Sequence, residues 1–403
     1  MTRVSTANVF NNNLRTLQTR QSELLEAQAR LSSGKRVSRP SDDPAAAARA
    51  ERMMVAESRA DLNQRALEAS RNAMKGGEAA LGDAGELLQR AREQVVAAGN
   101  ASWGPQERAA AAVSLRSLRE QLLAVANRDD GAGGYLFGGQ GSAQPPFVDA
   151  PGGVTWIGAT GTQQTAADEP LPLTLDGQAA WLAAPSGNGV FETSITTANG
   201  SAWIDAGRVV DPSALTGDDY ALTFSVTGGP TGPITTYSIT RAGNPTAATG
   251  VPFVSGQAIQ IDGLSFTVSG APANGDAFAV APSSTSMSAF EAIDRTLAML
   301  EDPAASESDV TQAVKFGLRD LDAVMASMNA QRAEAGAWLQ RLDLAEGRIA
   351  DDKLDAQTQR SLAEDLDMAQ AVSEFQLQQA SYDAALRSYS MVQRISLFNY
   401  IGT

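Results

Sequence analysis

The stretch Phe10-Asn11-Asn12-Asn13-Leu14-Arg15-Thr16-Leu17-Gln18-Thr19-Arg20-Gln21-Ser22-Glu23-Leu24-Leu25-Glu26-Ala27-Gln28-Ala29-Arg30-Leu31 sets Phe10, Leu17, Leu24 and Leu31 at strict seven-residue spacing. Leu14, Gln21 and Gln28 fill the interleaved positions. A seven-residue apolar repeat is a coiled-coil stripe. The other end of the chain carries its counterpart, in which Leu362, Leu366, Ala369, Val372, Phe375, Gln379, Tyr382, Leu386, Tyr389, Val392 and Ile395 follow steps of three and four. Both seams hold glutamine at core positions, and isolated helices are marginal in water. Each end therefore needs a partner in order to fold. Two arrangements supply one: both ends packed inside a single monomeric bundle, or ends that order only against other subunits.

Composition narrows the chemistry. The 403 residues include no histidine and no cysteine, which excludes Ser-His-Asp and Cys-His nucleophiles, thiolate chemistry, disulfides and nearly all protein zinc sites. The formal net charge of -15 argues against nucleic acid and anionic membrane as partners, because phosphate binding needs a basic patch. The polar start Met1-Thr2-Arg3-Val4-Ser5-Thr6-Ala7-Asn8 lacks the apolar core of a secretory signal peptide, and no apolar run is long enough to span a bilayer. Export, if it occurs, is expected to proceed without a cleaved signal.

The expected fold class is α+β: a long α-helical rod or coiled-coil bundle built from both chain ends, with an inserted antiparallel β domain. Residues 1 to about 140 and 285 to 403 are rich in the helix formers Ala, Leu, Gln, Arg and Glu. Residues 141 to 282 are rich in Gly, Pro, Thr and Ser, with no lysine and two arginines against eleven acids. The expected organisation is a terminal assembly segment over 1–40, a helical rod over 41–140 and 285–360, a β-rich outer domain over 141–284, and a C-terminal assembly helix over 361–403.

Punctuation sharpens this. Asp43-Pro44 reads as a helix start, with Asp43 accepting from free amides and Pro44 where no donor is needed. That helix should run to about Ala98, with a second from Pro105 toward Arg128. Gly76, Gly77, Gly82 and Gly85 interrupt it with either a bend or a close approach by another element. Ser288 to Leu300 reads as a short helix. Ser306 with Asp309, and Ser361 with Glu364, have capping-box spacing, which predicts a helix from about 308 to 357 and a last one from 362 to 397. In the insert, Tyr220–Val226 and Leu264–Val268 alternate as half-buried strands, and Asn274-Gly275 before Asp276-Ala277-Phe278-Ala279-Val280 reads as a hairpin turn.

Single residues have plain readings beside the functional ones. Asp42 and Asp43 could form a catalytic carboxylate pair, yet helix capping accounts for them without a substrate. Lys35 and Arg36 could bind phosphate; pairing with acids on a neighbouring subunit, or simple solvation, is the plainer reading. Trp156, Trp181 and Trp203 are expected to fill core or rim, and Met53, Met54, Met325 and Met328 to fill helix cores. Tyr382 and Tyr389, in line with Phe375, are core candidates in a monomer and interface candidates in a fibre.

Leu31-Ser32-Ser33-Gly34-Lys35-Arg36-Val37, followed by Pro40-Ser41-Asp42-Asp43-Pro44-Ala45-Ala46-Ala47, closely resembles the N-terminal signature of bacterial flagellin-like axial proteins. Asp-Asp-Pro followed by alanines is similar to the hook-associated protein 3 family within that group, where flagellins usually have Asp-Asp-Ala-Ala-Gly. Gly134-Tyr135-Leu136-Phe137-Gly138-Gly139 with Pro146-Phe147 resembles the family's lead into its outer domain. Phe266, Gly270, Gly275-Asp276, Phe278 and Val280 resemble a strand of hook-associated outer domains, and Ile395-Ser396-Leu397-Phe398-Asn399-Tyr400-Ile401 resembles the family ending. Residues 150 to 215 carry no such likeness.

The resemblance implies a non-enzymatic structural subunit without cofactor or metal, extracellular and part of the bacterial flagellum. Such a subunit forms a ring between the hook-associated protein 1 zone and the flagellin filament. It implies terminal segments that fold on assembly, passage through an export channel, and a cytosolic export chaperone as an earlier partner. The implied assembly interface is Phe10, Leu14, Leu17, Leu24, Leu31, Phe375, Tyr382, Leu386, Tyr389, Leu397 and Phe398, with lateral contacts from the flanks of the rod. The alternatives are a flagellin filament subunit and, from a different class, a surface- or glycan-binding module carried by the β insert.

Overall fold

The computed structural model describes residues 6–100, 102–131, 133–139, 144–159, 161–164, 170–229, 232–241 and 244–401, with the side chains of 6–10, 162–164, 229, 244–247 and 392–401 outside the description. Helices α1 (Thr6–Ser33), α2 (Pro44–Ala98) and α3 (Pro105–Ala126) come first, and α4 (Gly177–Trp181) sits within the β-rich stretch. Helices α5 (Ala289–Leu300), α6 (Glu307–Glu364) and α7 (Met368–Ile401) follow it. The fold is α+β, with helices from both chain ends and antiparallel sheet between them. The chain divides into two compact units, residues 1–65 with 345–403, and residues 66–344. The long helices α2 and α6, of 55 and 58 residues, contribute to both.

The helix starts follow from capping. Asp43 Oδ1 accepts from the amides of Ala45 and Ala46 at 3.1 and 3.0 Å, and Pro44 opens α2. Ser306 and Asp309 form the reciprocal box: the Ser306 amide donates to the Asp309 carboxylate at 2.9 Å and the Asp309 amide to Ser306 Oγ at 3.2 Å. The expectation at Ser361 is overturned. Ser361 lies inside α6, its hydroxyl donating to the Asp365 carboxylate four residues on. The real break is at residues 365–367, and α7 starts at Met368 because Asp367 Oδ1 accepts from the amides of Ala369 and Gln370 at 2.9 and 3.1 Å.

In the unit 66–344, the strands in chain order are β1 (Phe147–Ala150), β2 (Gly153–Trp156), β3 (Thr162–Gln164), β4 (Pro170–Pro172), β5 (Phe191–Thr197), β6 (Trp203–Ile204), β7 (Arg208–Val209), β8 (Tyr220–Gly229), β9 (Gly232–Arg241), β10 (Asn244–Pro252), β11 (Ala258–Ile261), β12 (Leu264–Ser269) and β13 (Ala277–Pro282). Strands β1 and β2 form one hairpin, and β3 and β4 another. The main sheet has the order β10-β9-β8-β13-β5, and in a second sheet β12 pairs with β11, β6 and β7. Tyr220, Leu222 and Phe224 are buried while Ala221 and Thr223 are exposed, the period-two pattern read from the sequence. Both sheets bury side chains in one shared core, Phe224 and Phe278 from the first and Ile204 and Phe266 from the second.

The hairpin expected at Asn274-Gly275 is not one. Gly275 does take a positive φ of 89°, but β12 before it and β13 after it belong to different sheets. Asn274 accepts the amide of Val226 at 3.1 Å instead. A tight two-residue hairpin does form at Asp262-Gly263, with φ of 43° and 80°, closing Ile261 against Leu264.

Helix α6 grips the sheets with polar side chains. Buried Gln312 accepts the Ile204 amide at 2.8 Å and donates to the Ile204 carbonyl at 3.0 Å, doubling as a neighbouring strand for β6. Arg319 donates to the Thr193 carbonyl at 2.9 Å and to Asp320 at 2.8 Å. Burial pushes the Asp320 carboxyl above its ordinary value, opposed chiefly by the Arg319 charge. Between α2 and α6, Arg71–Asp343, Glu78–Arg332 and Arg92–Asp322 are paired at 2.9, 2.6 and 2.7 Å, and their opposed numbering shows that the helices run antiparallel.

Gly76 and Gly77 of α2 make a close approach, whereas Gly82 and Gly85 do not. A Cβ on Gly76 would lie 2.7 Å from Leu136, and one on Gly77 2.5 Å from Leu175. Leu136 belongs to the Gly134–Gly139 stretch, whose Phe137 packs edge-on against Trp181 at 5.4 Å. Trp181 is 1% exposed and stacks on Phe290 at 6.0 Å, so it fills a core between loop and α5 rather than the β core. Trp156 donates its indole hydrogen to the Phe137 carbonyl at 2.9 Å, and Trp203 lies under Lys315 at 4.2 Å. Met328 is buried, while Met54 is 46% exposed, contrary to the expectation of core filler.

Candidate assembly site

In the unit formed by 1–65 and 345–403, α1 packs along α7. The pairing leaves both helices wet. From Asn11 to Ser33 no side chain is buried, and from Met368 to Met391 only Ala371 is. Leu17, Leu24 and Leu31, and Phe375, Tyr382 and Tyr389, are half-buried, while Leu14 and Leu386 are exposed at 38% and 41%. At 100° per residue, Ala371, Phe375, Tyr382 and Tyr389 share one face of α7, with Met368, Val372 and Leu386 on the adjoining arc. Phe10, Leu397 and Phe398 lie in helix with side chains outside the described residues.

The signature residues do a different job. Leu31, Ser32 and Ser33 end α1, and Gly34, at φ 69°, turns the chain while its amide donates to the Arg30 carbonyl at 2.9 Å. This is the left-handed cap that glycine adopts without strain. Lys35 and Asp365 then form an antiparallel bridge, in which the Arg36 amide donates to the Glu364 carbonyl at 2.7 Å and the Leu366 amide to the Gly34 carbonyl at 3.0 Å. The break between α1 and α2 is thereby clasped to the break between α6 and α7. Lys35 pairs with Glu364 at 3.1 Å, and Arg36 donates to the Ala363 carbonyl at 2.7 Å while pairing with Asp43 at 3.4 Å. Both cations thus make intrachain pairs that the sequence reading did not include, while their side chains remain 46% exposed.

Asp42 accepts from the Ser38 and Arg39 amides at 3.1 and 2.9 Å, folding the 38–42 loop into its turn. Its carboxyl is held below the ordinary value mainly by the Arg39 amide, and that of Asp43 mainly by the Ala46 amide. Both carboxylates are engaged in backbone capping, the plain reading of the pair. The clasp joins residues about 330 apart, and no local pattern could have revealed it. Among the described residues, no group of three or more acidic side chains is placed to hold a metal ion, and no helix is long and apolar enough to cross a membrane.

Comparison with known proteins bears on both units. Residues 4–142 match the bacterial flagellin N-terminal helical region, residues 318–401 the bacterial flagellin C-terminal helical region, and residues 194–282 the D2-like domain of flagellar hook-associated protein 1. The chain is 35% identical over 153 residues to flagellar hook-associated protein 3 of Salmonella typhimurium strain LT2, covering 38% of this chain and 48% of that one. To the Escherichia coli K12 protein of the same name it is 34% identical over 152 residues, 37% and 47% of the two chains. It thus spans about half the length of the curated relatives it matches. The crystal structure of the flagellar junction protein FlgL from Legionella pneumophila superposes with a TM-score of 0.67 at 25% identity, over 79% of this chain and all of that one. FlgL from Xanthomonas campestris gives 0.67 at 26%, over 77% and 99%. The chain thus carries the flagellin-type N- and C-terminal helical regions and is similar, over the part that matches, to flagellar hook-associated protein 3.

Proposed function

We propose that this chain is a non-enzymatic structural subunit of the bacterial flagellum, forming the junction between hook and filament by polymerisation coupled to folding of its ends. The observation that carries the reading is the α1–α7 pair, which buries one small side chain over its described length. A helix pair so lightly packed gains little from apolar burial, and its seam of Leu, Phe and Tyr is completed when further subunits cover it. The likeness to the flagellar junction protein FlgL of Legionella pneumophila and to flagellar hook-associated protein 3 supports the location. The partners are then other copies of this chain, hook-associated protein 1 on one side and flagellin on the other, with an export chaperone beforehand. The interface is the set Phe10, Leu14, Leu17, Leu24, Leu31, Phe375, Tyr382, Leu386, Tyr389, Leu397 and Phe398.

Immunogold labelling of this chain on intact flagella tests the reading. A single narrow band where hook meets filament is expected. Label along the whole filament would instead make it a filament subunit, and absence of label from flagella would end the proposal.

A further inference from the structure

Besides the α1–α7 seam, the unit 1–65 with 345–403 exposes two stripes that answer one another in charge. On α2, Val55 and Leu62 are 48% and 60% exposed, with the exposed guanidinium of Arg59 between them making no ion pair. On α6, Leu362 is 73% exposed, and the exposed carboxylates of Asp351 and Asp355 precede it without a partner. The two helices meet elsewhere, through Glu57–Arg360 at 2.9 Å and Asp61–Lys353 at 2.6 Å, beside buried Ala60 and Ala356. At 100° per residue, the α2 stripe lies about 180° and the α6 stripe about 150° from those paired faces. The stripes therefore face outward on opposite flanks of an antiparallel pair.

The geometry points to a heterologous lateral contact in which the arginine-bearing face of α2 docks against the aspartate-bearing face of α6 in the next copy of this chain. This rests on the assembly proposed above. The level is set by the cross-helix pairs: with Glu57 opposite Arg360, Val55 is level with Leu362 and Arg59 with residue 358, within one turn of Asp355. Copies standing side by side in one orientation bring cation to carboxylate and valine to leucine at the same height. Head-to-tail contacts of this kind close into rings or continue as helical arrays. The shared stretch, set by Val55 to Leu62, is about 10 Å long and about 10 Å wide, on the order of 100 Å², against roughly 800 Å² per partner for a stable pair. It is a contact that holds only where each copy has several neighbours, and copies in dilute solution stay apart.

The chain's lack of cysteine makes the test clean. A full-length Val55→Cys/Leu362→Cys variant is expressed in a strain lacking the native copy, and its flagella are isolated and oxidised. A ladder of disulfide-linked multimers is expected from the double variant and none from either single variant. Flagella that contain the subunit but give no ladder would overturn this contact while leaving the junction reading intact. A native subunit missing from flagella would overturn both. Charge exchange provides a second readout: Arg59→Asp or Asp355→Arg alone should lower the subunit retained on flagella at least tenfold, and the two together should restore it. Unchanged retention in the single variants, with melting of the monomer unaltered, would also overturn the contact.

Discussion

The β-bearing unit and the α1–α7 pair are made from the same alphabet, and they use it to opposite ends. In the former, Phe266, Phe278, Trp181 and Phe290 are at most 1% exposed, and even polar Gln312 is fully committed to the backbone of β6. In the latter, Phe375, Tyr382 and Tyr389 stop at half-burial with Leu386 in solvent. A finished core and an unfinished seam stand side by side in one chain. The difference teaches that one chain can close a core in one region and leave a seam open in another, and substitutions should separate fold stability from the assembly proposed for that seam.

The largest effect on the monomer is expected from Phe278→Ala, which empties a fully buried site and should cost about 3–5 kcal/mol in denaturant unfolding. A loss under about 1 kcal/mol would mean that the shared core is not what holds the two sheets. Asp43→Ala removes the α2 cap and should loosen the first turn of α2, seen as faster amide exchange there. The same cap has a pH signature. The Asp42 and Asp43 carboxylates are held below the ordinary 3.8, so their contribution is fully present above that pH and is lost as pH falls below it. The protection of the Ala45 and Ala46 amides, taken relative to their intrinsic exchange rates, should fall on acidification through that window and stay constant between pH 5 and 8.

Smaller effects distinguish two glycines of α2. Gly77→Ala drives a methyl to 2.5 Å from buried Leu175, and overpacking should outweigh the helix-propensity gain by about 1 kcal/mol. Gly85 faces open space, so Gly85→Ala should raise stability by about 0.4–1 kcal/mol. Equal shifts at the two positions would remove the close-approach explanation. The smallest effect on the monomer is expected at the seam. Leu386→Asp should change unfolding by no more than about 0.5 kcal/mol and yet prevent incorporation into flagella; normal incorporation would mean that the seam is not an interface.

The parts of the fold that the sequence revealed are those governed by local chemistry. Asp43-Pro44 and Ser306 with Asp309 cap their helices as read, because capping is settled within four residues. Ser361 misled because the same serine can bond either forward to a cap or, as here, to Asp365 within a helix, and Asp367 offered the better cap. Asn274-Gly275 has hairpin chemistry, but which strands pair depends on a two-sheet topology that no dipeptide encodes. Asp262-Gly263 carries the same signal and does close a hairpin. At the assembly site, the heptad stripes were visible in the sequence, whereas the roles of Lys35 and Arg36 depended on Ala363 and Glu364, distant in sequence and joined only by folding.

Amide hydrogen exchange on the purified full-length monomer, resolved along the chain, tests the central claim most directly. The account predicts exchange within seconds across residues 11–33 and 368–391, with strong protection through the sheets and in α5. Protection of both terminal stretches equal to that of the β core would contradict it, since the ends would then be a completed bundle with nothing left to fold on assembly.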